Sequence, residues 1–144
     1  MQKKAFTLVE IMLVVGIVII LLTLAVPNFL RSRVVATEAA TIGNMKAILT
    51  GSNAFYSNVG NYPVNMTDLI APVSNPAYID NVLAAGNKQG YNYTYARNGE
   101  GFTLNADPTG MFATFGARHF FSDETGIIRS NPTVAAGPGD SSIL

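Results

Sequence analysis

Hydropathy divides the chain near residue 30. Ile11 to Leu30 is a run of 20 residues without a charge, and residues 11–26 read IMLVVGIVIILLTLAV. As a helix that run spans about 30 Å, the thickness of a bilayer's hydrocarbon core. Beyond Pro27 the pattern becomes amphipathic. Val35, Ala39, Ile42, Met45, Leu49 and Tyr56 recur at three-, four- and seven-residue intervals, while Arg31, Glu38, Asn44, Lys46 and Asn53 occupy other positions. One helix is therefore expected to leave the apolar stretch and lay a face on a globular head. It should end near Ser57, because Asn58, Gly60, Asn61 and Pro63 interrupt the pattern. Pro27 removes a helical hydrogen bond and predicts a kink.

Residues 58–90 read as an irregular connection, with short helical pieces at Asp68 to Ile70 and Tyr78 to Ala85. Strand signals follow. Tyr91, Tyr93 and Tyr95 alternate with Asn92 and Thr94, the period-two pattern of a half-buried strand. Arg97 to Gly101 makes a turn, and Phe102 to Ala106 returns. A second hairpin is expected from Arg118 to Ser122, through a turn at Asp123 to Gly126, and back along Ile127 to Ser130. Two hairpins give an antiparallel sheet of about four strands whose apolar face covers the helix. The fold class is thus α+β. The Gly-, Pro-, Ala- and Ser-rich segment from Pro132 to Leu144 reads as a mobile tail.

Composition narrows the chemistry. The 144 residues make one domain's worth of chain, and only 12% are charged, against about 25% in an ordinary soluble domain. Nine basic residues balance nine acidic ones, so no electrostatic footprint for nucleic acid exists. The chain has no Cys, which excludes disulfides, thiolate nucleophiles and thiolate metal ligands. Its one histidine, His119, stands beside Phe120 and Phe121 in a predicted strand and reads as structural. No Gly-x-Ser-x-Gly elbow or phosphate-binding loop is present; Gly137-Pro138-Gly139 lies in the terminal segment. Asp107, Asp123 and Glu124 are the acids available to calcium, but Asp-x-Thr-Gly is ordinary turn chemistry. No enzyme, cofactor or metal site is expected. The six Tyr and eight Phe fall at core spacings, as packing requires.

So apolar a helix has little core to hide in, which favours a membrane span over a buried helix. Lys3 and Lys4 precede the span, Arg31 and Arg33 follow it, and the positive-inside count is nearly tied. A secretory signal cut after Ala25 is an alternative. Against it stands Glu10, because a carboxylate in an apolar block costs about 2.5–3.5 kcal/mol at a membrane's centre. Were the chain cut after Ala5, Glu10 would lie four residues from a new amino terminus at Phe6. There it could pair with its own ammonium or a neighbour's.

Lys3-Lys4-Ala5-Phe6-Thr7-Leu8-Val9-Glu10, followed by the apolar run and Pro27, resembles the class III signal of type IV pilins and type II secretion pseudopilins. The resemblance implies a pilin-like fold: leader 1–5, membrane and filament-core helix 6–30, amphipathic continuation 31–57 and head 58–144. It implies cleavage between Ala5 and Phe6 by a prepilin peptidase, and N-methylation of Phe6. Glu10 would neutralise a neighbouring subunit's Phe6 amine during assembly. The implied partners are membrane lipid, the peptidase/methyltransferase, an inner-membrane assembly platform and further copies in a homo-oligomeric filament. The N-terminus would be cytoplasmic, and the assembled filament would lie at the cell surface or in the periplasm. Where the family usually has Gly, this chain has Ala5. The calcium-associated segments of the type II secretion major pseudopilin are missing, which favours a type IV pilin over a major pseudopilin. The N-terminal motif does not separate pilus, secretion and DNA-uptake roles, and a type II secretion or DNA-uptake pseudopilin is the alternative. A single-span anchored or secreted binding module is the contrasting class.

Overall fold

The computed structural model describes residues 6–143. These residues form two compact units that divide between Arg33 and Val34, and helix α1 (Leu8–Val59) contributes to both. In the first unit Thr7 caps α1: its hydroxyl accepts from the Glu10 amide (3.2 Å) and its carbonyl from the Ile11 amide (3.3 Å). The helix continues through Pro27, which leaves the Thr23 carbonyl without its usual amide donor. One residue on, the Asn28 side-chain amide donates to the Leu24 carbonyl at 3.1 Å. That bond satisfies a carbonyl beside the break in the ladder.

In the second unit, the head, α1 buries Val34, Glu38, Thr41, Met45, Ile48, Ser52 and Phe55. Their alternating spacings of four and three make one helix face. Only part of the expected stripe lies on it. Val35 is 65% exposed and Tyr56 44% exposed, so the face is turned by about one residue from hydropathy alone. Three polar residues in the buried row explain the shift, since each lowers the apparent hydrophobicity of the true face. Thr41 returns its hydroxyl to the Thr37 carbonyl at 2.9 Å, and Glu38 meets Arg118.

The sheet has six strands rather than about four. They are β1 (Asn87–Lys88), β2 (Tyr91–Asn98), β3 (Gly101–Pro108), β4 (His119–Asp123), β5 (Arg129–Asn131) and β6 (Ser141–Ser142), in spatial order β1-β2-β3-β4-β5-β6. Every pairing is antiparallel between sequence neighbours. The two expected hairpins supply β2 to β5; the two-residue edges β1 and β6 are too short to show any period. Tyr91, Tyr93, Phe102, Leu104, Ala106 and Phe120 form the buried face and join Met45, Ile48, Leu49 and Phe55 in one apolar core. The α+β plan of a long N-terminal helix followed by an antiparallel sheet is present.

Between helix and sheet lie a 3₁₀ turn (Met66–Leu69) and α2 (Asn81–Ala84), which the Asp80 carboxylate caps by accepting from the Leu83 amide. Helix α3 (Met111–Thr114), in the β3–β4 connection, has no counterpart in the sequence reading. Its Phe112 ring covers Gly90, where a Cβ would come within 2.2 Å of the ring and where φ is +81°. Only glycine fits there.

The segment from 132 onward carries its own network. Asp140 accepts from the Asn131 side chain (2.9 Å) and the Gly137 amide (2.8 Å), and its carbonyl accepts from Arg129 (3.1 Å). Ala136 is buried, and the Ile143 amide donates to the Ile128 carbonyl at 3.0 Å.

Burial pushes the Tyr95 phenol up to about 12, against a smaller opposing effect of the Ser52 hydroxyl. Burial, then the nearby charge of Glu38, pushes the Tyr91 phenol still higher. Both groups hold protons in the native head that an unfolded chain releases near pH 10. Stability should therefore be unaffected by these groups below about pH 10 and fall as pH rises through about 12. Phenolate absorbance recorded beside unfolding midpoints checks this, and Tyr95→Phe should remove part of the alkaline loss.

Candidate functional site

The first unit is an apolar surface with one acid. Every large apolar side chain from Leu8 to Phe29 is exposed, the least of them, Val18, at 46%. None of the apolar window is buried, and α1 is long and apolar enough to cross a membrane by length and composition. A bare surface of this extent marks a membrane or protein interaction. Ile19, Leu22, Thr23, Val26 and Pro27 line a shallow apolar groove along it. Past the apolar run, the Arg33 guanidinium lies over the Phe29 ring at 5.9 Å.

Of the residues singled out for processing and assembly, Ala5 lies outside the described residues. Phe6 is 74% exposed and stands two residues before α1, ahead of the capping Thr7. Glu10 occupies the first helical turn, where the helix dipole favours a carboxylate. Among the described residues it forms no ion pair. Pro27 lies inside the helix, on the groove.

The head holds its polar chemistry internally. Glu38 accepts from the Arg118 backbone amide (2.8 Å), from Nε (3.1 Å) and from Nη2 (2.9 Å). One carboxylate thus takes both the guanidinium fork and the main chain that carries it. The same arginine lies over Phe120 at 5.6 Å, and its carbonyl accepts the Tyr91 hydroxyl at 2.7 Å. The sequence reading put Glu38 on the outer face and missed this cluster. Its phase with Val34, Thr41, Met45 and Ile48 was the available signal.

His119 Nδ1 meets Asp107 Oδ1 at 2.6 Å, joining β4 to β3. Asp123 accepts from the amide and hydroxyl of Thr125 within its turn. The structure does not gather Asp107, Asp123 and Glu124: among the described residues no cluster of three metal-ligating side chains exists.

Over 61 residues the chain is 34% identical to the type IV major pilin protein PilA of Myxococcus xanthus. The match covers 42% of this chain and 28% of that relative. No family model and no solved structure matches. The resemblance to type IV pilins carried by the N-terminal motif therefore has a curated counterpart in sequence.

Removing the Glu38 carboxylate strands three donors of Arg118. Hydrogen bonds to charged groups are worth about 1.5–3 kcal/mol, so Glu38→Ala should destabilise the head by about that much. Denaturant unfolding of the detergent-solubilised chain reads it as a lower midpoint at unchanged slope.

Proposed function

We propose that this chain is the structural subunit of a type IV pilus-like filament. It is stored in the inner membrane with its N-terminus in the cytoplasm and polymerises through α1. The observation that carries this reading is the uninterrupted exposed apolar helix, joined in one chain to an ordered head and opened by a Phe-Thr-Leu-x-Glu motif. The relative in Myxococcus xanthus, a type IV major pilin, supports it.

In this reading a prepilin peptidase cuts between Ala5 and Phe6, and Phe6 is N-methylated. The assembly platform then draws the helix from lipid into the filament core. Apolar contacts with lipid are exchanged for apolar contacts with neighbouring helices, which provides little net driving force. Glu10 supplies the selectivity: paired with a neighbour's Phe6 ammonium it is satisfied, and in any other register it is a buried charge without a partner.

Mass spectrometry of the N-terminal peptide from cells that make the protein should find a chain beginning at methylated Phe6. An intact Met1 would mean an anchored module, and a start at Val26 a secreted one; either result removes the filament reading. Replacing Ala5 with a bulky residue should leave the leader attached. Glu10→Ala should leave the chain in the membrane, since it removes a charge from the start of the apolar span, and cut filament yield, since it deletes the amine's partner. Wild-type yield from that variant would refute the pairing.

A further inference from the structure

The head carries a groove that neither the core nor the Glu38 cluster accounts for. A cavity of about 280 Å³ opens between the 3₁₀ turn, the end of α2 and strand β2. Its walls are pinned. The Asp68 carboxylate accepts the Val64 and Asn65 amides, and the Asp80 carboxylate caps α2. The Asn44 side chain donates to the Tyr93 hydroxyl at 3.0 Å. Gly86 lines the floor at φ +83°, where a Cβ would stand 3.1 Å from the Tyr93 carbonyl oxygen.

The polar groups facing this cavity are unpaired and uncharged. Strand β1 pairs only with Tyr91 and Asn92, so beyond Asn92 no strand covers the outer edge of β2. The Tyr93 amide donates to the Gly86 carbonyl at 2.6 Å, which turns the odd-numbered backbone groups of β2 toward that edge. The Tyr93 carbonyl and the Tyr95 amide and carbonyl therefore face it, and no backbone group among the described residues meets them. Beside them the side chains of Thr67, Asn92 and Thr94 line the cavity and form no hydrogen bond among the described residues. No acidic or basic residue lines it.

These groups narrow the ligand by exclusion. An ion would find no countercharge, and an apolar molecule would leave donors and acceptors stranded. An added strand would meet an obstacle at each end. On one side β1 covers the edge as far as Asn92, and on the other Arg97 holds the Tyr62 carbonyl at 3.3 Å. The volume falls just under the ~300 Å³ at which small-molecule pockets begin, which suits one ring rather than several. We propose that the groove binds a single neutral sugar ring, whose hydroxyls both donate and accept, at Thr67, Asn92, Thr94 and the Tyr95 backbone. The inference stands on the head alone and does not depend on the filament reading.

The test is NMR titration of the full chain, in a detergent without a sugar headgroup, following the amides of Tyr93 to Tyr95. Glucose, galactose, mannose and N-acetylglucosamine are the probes. At least one should shift these amides saturably with millimolar affinity, the scale a ligand of this size reaches. Thr67→Val and Asn92→Ala should each weaken binding by about fivefold, the worth of one hydrogen bond. Both side chains are exposed, so the unfolding midpoint should not change. The methyl glycoside of the bound sugar separates two sources: retained binding means the end unit of a glycan, and lost binding means a free sugar. No saturable shift from any of the four sugars, or shifts that survive both substitutions together, overturns the proposal. Tighter binding of glucose phosphate than of glucose overturns the neutral assignment. Saturable shifts from an uncharged strand-forming peptide, with none from the sugars, would also overturn it and make the groove a strand-docking edge.

Discussion

The head is organised around a single buried carboxylate. Glu38 is 7% exposed on a helix whose other buried neighbours are mostly apolar, and it is tolerable only because Arg118 supplies three donors. That requirement fixes the face α1 presents, which is why Val35 and Tyr56 point outward and Val34 and Phe55 inward. Arg118 in turn is held from the far side, since its carbonyl takes the Tyr91 hydroxyl. Helix, β2 and the start of β4 are thereby tied at one point, and the apolar core fills the space around it.

The first half of α1 is of another kind. Its large apolar side chains from Leu8 to Phe29 are exposed, and Glu10 has no cation among the described residues. Dispersion and solvophobic terms change little when such a surface trades lipid for similar helices. Selectivity in that setting falls to the few polar groups, because only they discriminate between one register and the next. The sparse charge of this chain, 12% of residues, places those groups at a few defined points.

The parts legible in the sequence were those with a long period or a rare combination. Twenty uncharged residues announce a helix for a nonpolar setting, and Tyr91-Asn92-Tyr93-Thr94-Tyr95 announces β2. The four strands of the two hairpins came from turns with strong local chemistry, such as Asn98-Gly99 and Asp123 to Gly126. What stayed hidden depends on partners distant in sequence. Glu38 reads as a solvated residue until Arg118, 80 positions on, is placed beside it. Strands β1 and β6 have two residues each, too few for a period. Helix α3 is seated by a glycine in another turn. In the terminal segment, composition conceals the Asp140 bonds, since they depend on geometry.

The sheet's order has a kinetic consequence. Each strand lies beside the one before it, so every pairing closes a short loop and no segment has to cross another. The β2–β3 hairpin needs only residues 91–108 to exist, and each later strand adds to an edge already formed. Local pairings of this kind are the ones that form quickly. The 80-residue closure between Glu38 and Arg118 is of another class, because the loop entropy it must overcome is larger. The docking of helix on sheet is thus the closure that carries the larger entropy cost, and the core that α1 shares with the sheet depends on it.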